Sequence, residues 1–94
     1  ARRELAVVSI ISQDFEISSQ INELLHEVSQ HIVGRMGMPY RDMGLYIINV
    51  TLDAPAGVMQ ALCAKLNVLP GVAVKATYPR ETASRGDVQP KKEA

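Results

Sequence analysis

The chain has 94 residues, 47% of them hydrophobic, and its ten basic and ten acidic residues cancel to a formal net charge of zero. This length suffices for one domain with a single layered core, and the hydrophobic content is that of a folded protein. A neutral chain lacks the positive charge of a typical nucleic-acid-binding domain, which argues against that class.

No apolar run approaches the roughly 20 residues that cross a bilayer, and no secretory leader is recognisable at the N-terminus. Cys63 is the only cysteine, which excludes an intrachain disulfide and suits a reducing compartment. These features predict a cytoplasmic protein without a membrane segment.

The first predicted element is a strand over residues 5–12, in which both alternating sets of positions are apolar. Such a strand is covered on both faces and lies in the centre of its sheet. A helix follows the turn Ser12-Gln13-Asp14, which contains the candidates for its N-terminal cap, and the helix is expected to end near residues 29–30. Its buried stripe is predicted from helical spacing to consist of Ile17, Ile21, Leu24, Leu25 and Val28.

The next two predicted elements are strands. Residues 32–41 have strand-like apolar residues interrupted by two glycines, a proline and two arginines, as expected at the edge of a sheet. Gly44 closes the following turn and is suited to a positive φ. The third strand, residues 45–52, has apolar side chains at every even position, which predicts that these positions face the core.

Asp53 and Pro55 predict the start of a second helix, with Asp53 as its cap. Its predicted stripe is Val58, Ala61, Leu62 and Leu66, with Met59 and Leu69 beside it. Pro70 and Gly71 end this helix, and the alternation over residues 72–78 predicts a half-buried edge strand.

The resulting order is strand, helix, strand, strand, helix, strand. This order predicts an α+β fold, a ferredoxin-like βαββαβ sandwich with two helices on one face of a four-stranded antiparallel sheet. The first and third strands are central in that topology. The domain spans residues 1–79, and residues 80–94, which are almost free of apolar side chains, are predicted to form a disordered tail.

Two helices leave one face of this sheet open. Apolar residues on both faces of the first strand, together with Leu45 and Ile47 on the third, would expose much aliphatic surface. Such a surface favours self-association, so we expect a homo-oligomer, a dimer or a tetramer, formed through the sheet or its edges.

The main candidate for a ligand site or an interface comprises eight consecutive residues: Gly34, Arg35, Met36, Gly37, Met38, Pro39, Tyr40 and Arg41. The glycines allow close approach of a ligand to the backbone, and Arg35 or Arg41 can meet a carboxylate. The same pattern also fits an edge strand packed against a neighbouring subunit, with the arginines in salt bridges at the rim. Both interpretations stay open at this point.

The two histidines do not form a recognisable metal site within one chain. His26 lies off the buried stripe of the first helix and His31 lies just beyond its end, with no cysteine or histidine cluster nearby. Surface positions are therefore expected, and only a site shared between subunits would give them a metal-binding role. Cys63 and the four methionines are interpreted as packing residues of the core or of an interface.

No serine or cysteine nucleophile has a base placed beside it, and no pair of carboxylates falls in a pocket pattern. We therefore expect no catalytic residues, no cofactor and no enzymatic activity.

Three segments, at residues 31–41, 52–55 and 69–72, together resemble a known family. Their sequences are His-Ile-Val-Gly-Arg-Met-Gly-Met-Pro-Tyr-Arg, Leu-Asp-Ala-Pro and Leu-Pro-Gly-Val. Over residues 4–79 the chain is similar to small proteins described as regulators of the iron-only hydrogenase system. These have an ACT-like form of the ferredoxin-type fold, related to the ligand-binding half of the nickel-responsive repressor. The resemblance implies an oligomeric cytoplasmic sensor domain.

This chain differs from the related proteins in two features, and these restrict the functions that the resemblance implies. Amino-acid-binding ACT domains often have a glycine in the loop after the first strand, where this chain has Ser12-Gln13-Asp14-Phe15. The nickel-responsive repressor also has a separate DNA-binding domain, for which this chain has no residues. Direct DNA binding is therefore disfavoured, and a partner protein would complete the regulator.

Two functions are compatible with the sequence. The first is a regulatory, ligand-sensing, oligomeric ACT-like domain, either a transcriptional regulator or its sensor subunit. The alternative is a structural module that docks on a partner protein, or mediates oligomerisation, without a small-molecule ligand.

Overall fold

The structure, a computed structural model, describes residues 2–80. The elements in chain order are β1 Arg3–Ser12, α1 Ser18–Glu27, β2 Ile32–Tyr40, β3 Leu45–Pro55, α2 Ala56–Asn67 and β4 Val72–Thr77. The strands form one antiparallel sheet in the order β2-β3-β1-β4. The predicted ferredoxin-like βαββαβ sandwich is thus confirmed, with β1 and β3 in the centre. The predicted tail lies outside the described residues, apart from Arg80.

Side chains alternate between two faces of the sheet, as the pleat of a strand requires. The face toward the helices, called the covered face, contains Ala6, Val8, Ile10 and Ser12 of β1 and Ile48, Val50, Leu52 and Ala54 of β3, all buried. The opposite face, called the open face, contains the odd-numbered residues of both strands. The expectation that β1 is covered on both faces is wrong for the described part of the chain, because Leu5, Val7 and Ile11 are exposed and no helix within residues 2–80 lies over them.

The turn from β1 into α1 is built by short polar side chains. The Ser12 hydroxyl is buried; it donates to the Asp14 carbonyl oxygen at 2.9 Å and accepts from the Asp14 N–H at 3.2 Å. Asp14 caps the one-turn 3-10 helix that precedes α1, because its carboxylate accepts from the Glu16 N–H at 2.9 Å. The Gln13 N–H donates to the Gly71 carbonyl at 3.0 Å, which ties this turn to the start of β4.

The first helix packs as its apolar spacing predicts. Ile17, Ile21 and Leu25 are buried in the core, and Leu24 and Val28 are half-buried against it. The regular helix ends at Glu27, and a further 3-10 turn at Ser29–His31 leads into β2.

The start of the second helix differs from the prediction. Asp53 is not a helix cap: β3 continues to Pro55, and Asp53 pairs with Leu5 in the ladder. The pairing extends this far because β1 begins at Arg3, whose guanidinium donates to the Asp53 carboxylate at 3.0 Å. The helix therefore begins at Ala56 without a side-chain cap.

The buried stripe of α2 is also shifted from the predicted one. Met59, Leu62 and Leu66 are buried, whereas Val58 is only half-buried and Ala61 is exposed. The three buried residues are spaced by three and four, so they form one continuous stripe against the sheet.

The edge strand β2 contains an irregularity near its start. Ile32 is paired with Leu52 and Gly34 with the adjacent Thr51, so Val33 has no partner and forms a bulge. From Gly34 to Tyr40 the pairing with β3 is regular. The turn after it is a 3-10 turn at Arg41–Met43 that ends at Gly44 with a φ of 66°, as the sequence predicts.

The candidate site at the edge strand

Regular pairing divides the eight candidate residues between the two faces of the sheet. Arg35, Gly37 and Pro39 are opposite residues of β3 that face the helices, so they lie on the covered face. Gly34, Met36, Met38 and Tyr40 are opposite Thr51, Asn49, Ile47 and Leu45 and lie on the open face. Arg41 lies beyond the strand, in the 3-10 turn. The segment therefore contributes its side chains to two separate surfaces of the protein.

Arg35 connects the edge strand to the first helix. Its guanidinium (Nη2) donates to Oδ1 of Asn22 in α1 at 2.6 Å. Both side chains are accessible to solvent, with Arg35 exposed and Asn22 half-buried. The contact fixes the guanidinium beside the helix instead of leaving it extended into solvent.

Gly37, two residues further along β2, makes room for the hydroxyl of Tyr46. A Cβ added at Gly37 would lie 3.2 Å from the Tyr46 oxygen, closer than most real Cβ contacts. The Tyr46 ring in turn lies near Phe15, with ring centroids 6.4 Å apart and the planes inclined by 47°. Glycine at this position is thus explained by the close approach of a side chain, not by a turn.

Two groups of contacts lie next to each other on the covered face, because Arg35 and Gly37 are two positions apart on β2. We call the two groups together the Arg35 cluster, which comprises Phe15, Asn22, Arg35, Gly37 and Tyr46. Two ion pairs join described residues, Arg3–Asp53 and Lys65–Glu27, and Arg35 is in neither. Its polar partner is the neutral amide of Asn22. Within residues 2–80 the Tyr46 hydroxyl also makes no hydrogen bond to protein. The cluster therefore presents a cation and a phenol whose donors remain available to an acceptor.

Residue pattern alone identifies Arg35 and Gly37 as candidates but not Asn22, Tyr46 or Phe15. Helical spacing leaves Asn22 outside the buried stripe of the first helix, and the alternation of the third strand places Tyr46 in the core. A weak signal for Tyr46 exists, since a strand-borne tyrosine beside a glycine-rich edge strand has room for its polar hydroxyl. No local signal connects Asn22 with Arg35, because they are thirteen positions apart.

The remaining candidates lie elsewhere. His26 is exposed and His31 is half-buried at the end of a groove of about 250 Å³ between α1 and α2. Among residues 2–80 no three histidine, cysteine or acidic side chains are grouped as metal ligands. Cys63 packs against the core, and this burial raises the pKa of its thiol, which makes it a poor nucleophile.

No helix within residues 2–80 has the length and apolar character needed to cross a membrane.

Comparison with known proteins agrees with the fold and identifies the family. The family model described as "TM1266-like: Iron-only hydrogenase system regulator, putative" matches residues 4–76. The solved structure of the uncharacterized protein TM1266 from Thermotoga maritima is 30% identical, with a TM-score of 0.79. The match covers 84% of this chain and 100% of that one.

A second solved structure shares the fold alone. It is a formyltetrahydrofolate deformylase from Pseudomonas putida KT2440, 16% identical with a TM-score of 0.61 over 84% of this chain. The match covers 30% of the deformylase chain, so the likeness is to one part of that enzyme. The search of curated proteins gave no match. The family match over residues 4–76 is decisive, and the chain belongs to the TM1266-like family.

Proposed function

We propose that this chain is a regulatory module that senses a small anionic ligand at the Arg35 cluster. The ligand class is a carboxylate or a phosphate, and the module is either a transcriptional regulator or the sensor subunit of one. In this proposal it acts in the cytoplasm as a homo-oligomer. The description of its family as a hydrogenase system regulator supports the regulatory part.

One observation carries the ligand class: the Arg35 guanidinium is held in place by a neutral amide and has no carboxylate partner among the described ion pairs. A planar guanidinium binds carboxylates and phosphates through paired hydrogen bonds, which are stronger than bonds between neutral groups. Because Asn22 already orients this guanidinium, part of the ordering cost of binding is met before the ligand arrives.

The neighbouring groups suit the same ligand class. Gly37 is on the same face two positions away, a distance of about 7 Å along a strand. The Tyr46 hydroxyl above it is a neutral donor, and the Phe15 ring provides an apolar wall beside it. A ligand with an anionic end and a short polar or apolar body would contact all of these groups.

The first test is thermal melting against a panel of amino acids, organic acids, nucleotides, inorganic phosphate and divalent metals, with native mass spectrometry on the same sample. At a hundredfold excess over the Kd, a ligand that binds only the native state adds about 2.7 kcal/mol to the free energy of unfolding. We expect a selective rise in melting temperature with an anionic compound, and the mass of that compound on the protein.

Two variants and one matched control locate the effect. Arg35→Ala should abolish the rise without unfolding the protein. Asn22→Asp should weaken it as well, because the new carboxylate would neutralise Arg35 in place. Arg41→Ala is the control, since it removes an exposed arginine of the same segment outside the cluster, and the rise should persist. If the ligand raises the melting temperature of Arg35→Ala and Arg41→Ala equally, the ligand does not bind at the Arg35 cluster.

A protein-docking function without a small ligand is the second candidate, and the uncovered sheet favours it. The whole of β2 after Ile32 is exposed, and an unpaired edge strand offers its backbone groups to another strand. If the wild-type protein is indifferent to every compound in the panel but binds a protein partner tightly, this second function replaces the first.

A further inference from the structure

The open face of the sheet carries more aliphatic surface than an isolated domain ordinarily exposes. Leu5, Val7 and Ile11 of β1 are 47%, 42% and 41% exposed. On the edge strand β2, which β3 separates from β1, Met36, Met38 and Tyr40 are 60%, 40% and 46% exposed. Leu45 and Ile47 of β3 lie between these two groups and are half-buried by them.

Charge on this face is confined to its margins. The Arg3–Asp53 ion pair lies at one end of the central strands. Lys75 lies on the edge strand β4, opposite Ser9. The middle of the face is neutral. Its polar side chains are Ser9 and Asn49, which are paired with each other in the ladder, and Thr51, which is opposite Val7.

We infer that the open face is the interface with a second copy of this chain, packed sheet against sheet. A surface that meets its own copy across a twofold axis must be complementary to itself. The neutral centre fulfils that condition, because no charge meets a like charge there. The hydroxyl of Ser9 and the amide of Asn49 each contain both a donor and an acceptor, so identical groups can pair with one another.

The size of the face is sufficient for a specific interface. Four strands at about 4.8 Å spacing and a length of about 27 Å give a flat area of about 500 Å² on each copy. Two copies together then bury at least ~1,000 Å², which is where specific interfaces begin. A membrane surface is a poorer fit, because within residues 2–80 the margin of this face lacks the cluster of basic residues that anionic lipids attract.

The assembly has four layers, in the order helices, sheet, sheet, helices, with the two sheets about 10 Å apart. The Arg35 cluster lies on the helix side and stays outside the interface. This inference therefore does not rest on the proposed ligand site, and either one can fail without the other.

Methionine oxidation provides the test on the unmodified protein. Peroxide treatment followed by peptide mass spectrometry is carried out at low and at high protein concentration. We expect Met36 and Met38 to become severalfold less reactive at the concentration where analytical ultracentrifugation shows the dimer. Met43, exposed in the turn beyond the sheet, should keep its reactivity, and the buried Met59 should stay unreactive throughout.

A pair of variants tests the same interface. Ile11→Glu places a charge in the interface and should give a folded monomer by circular dichroism and sedimentation. Val68→Glu is the control, because Val68 is 80% exposed at the end of α2, away from the sheet face, and this variant should dimerise as the wild type does.

Three results would overturn the inference. The first is a wild-type chain that stays monomeric at high concentration, in which case another occupant covers the face. The second is a dimer in which Met36 and Met38 keep the reactivity of the monomer. The third is a folded Ile11→Glu variant that dimerises like the wild type. The oxidation experiment decides the question even if Ile11→Glu fails to fold.

Discussion

The two faces of one sheet have similar composition but very different surroundings. Both β1 and β3 carry aliphatic side chains on each side, yet those on the covered face are 0 or 1% exposed and three of those on the open face are more than 40% exposed. Apolar composition therefore does not reveal which face of a central strand is buried within its own chain. It indicates where the protein buries surface, either against its own helices or against another molecule.

The sharpest test of this comparison uses two adjacent isoleucines of β1. Ile10 is fully buried, whereas Ile11 is on the open face. We expect Ile10→Ala to lower the free energy of unfolding by about 2–5 kcal/mol, because it removes core contacts and leaves a cavity. Ile11→Ala should cost about 1 kcal/mol or less in the monomer, since less of its surface is removed from water.

Urea denaturation at several protein concentrations measures both values. If the open face is an interface, the cost of Ile11→Ala should increase with protein concentration, whereas that of Ile10→Ala stays constant. Equal costs at low concentration would show that the two faces do not differ as described.

A second pair of variants compares the faces along β2. Gly37→Ala places a Cβ 3.2 Å from the Tyr46 hydroxyl, so the tyrosine must shift. We expect this overpacking to lower the free energy of unfolding by roughly 1 kcal/mol. The rise in melting temperature with ligand should also be smaller. Gly34→Ala meets no atom within 4 Å and should stabilise the protein by about 0.4–1 kcal/mol through the unfolded chain.

Thermal melting with and without ligand measures this pair. If Gly37→Ala has the same melting temperature as Gly34→Ala, both without and with ligand, then the space above Gly37 is not needed for stability or for ligand binding.

The smallest expected effect concerns pH and the thiol of Cys63. Burial raises the pKa of this thiol in the folded protein above its ordinary value of 9.0. The unfolded chain therefore loses the thiol proton first, and the native state binds more protons above pH 9. Stability should consequently fall as the pH rises through that range.

Comparison of the wild type with Cys63→Ala between pH 7 and pH 10 isolates this contribution. The variant should lack the part of the fall in stability with rising pH that comes from the thiol. In the wild type, the Cys63 thiol should be alkylated more slowly than a free cysteine. Alkylation at the rate of an unfolded control would contradict the burial of this side chain.

Element order, the central strands and the stripe of α1 were predictable because they follow from residue periodicity. The start of α2 was not predictable from the sequence. A proline after an acidic residue favours a helix cap locally, but Asp53 is held in the sheet by its pairing with β1. Likewise, composition identified the segment Gly34–Arg41 but not its partners. Asn22 and Tyr46 meet Arg35 and Gly37 only after the helix and the sheet have packed.

The bulge at Val33 determines on which face of the sheet each later residue of β2 lies. Strict alternation counted from Ile32 would place Arg35 on the open face and Met36 against the helices; the unpaired residue reverses this assignment. At the bulge, β2 can therefore lose a residue without moving its other side chains to the opposite face of the sheet. A variant lacking Val33 should keep its ligand response in the melting assay, whereas one lacking Met36 should lose it. Relatives with a shorter edge strand are expected to lack a residue at this position and no other.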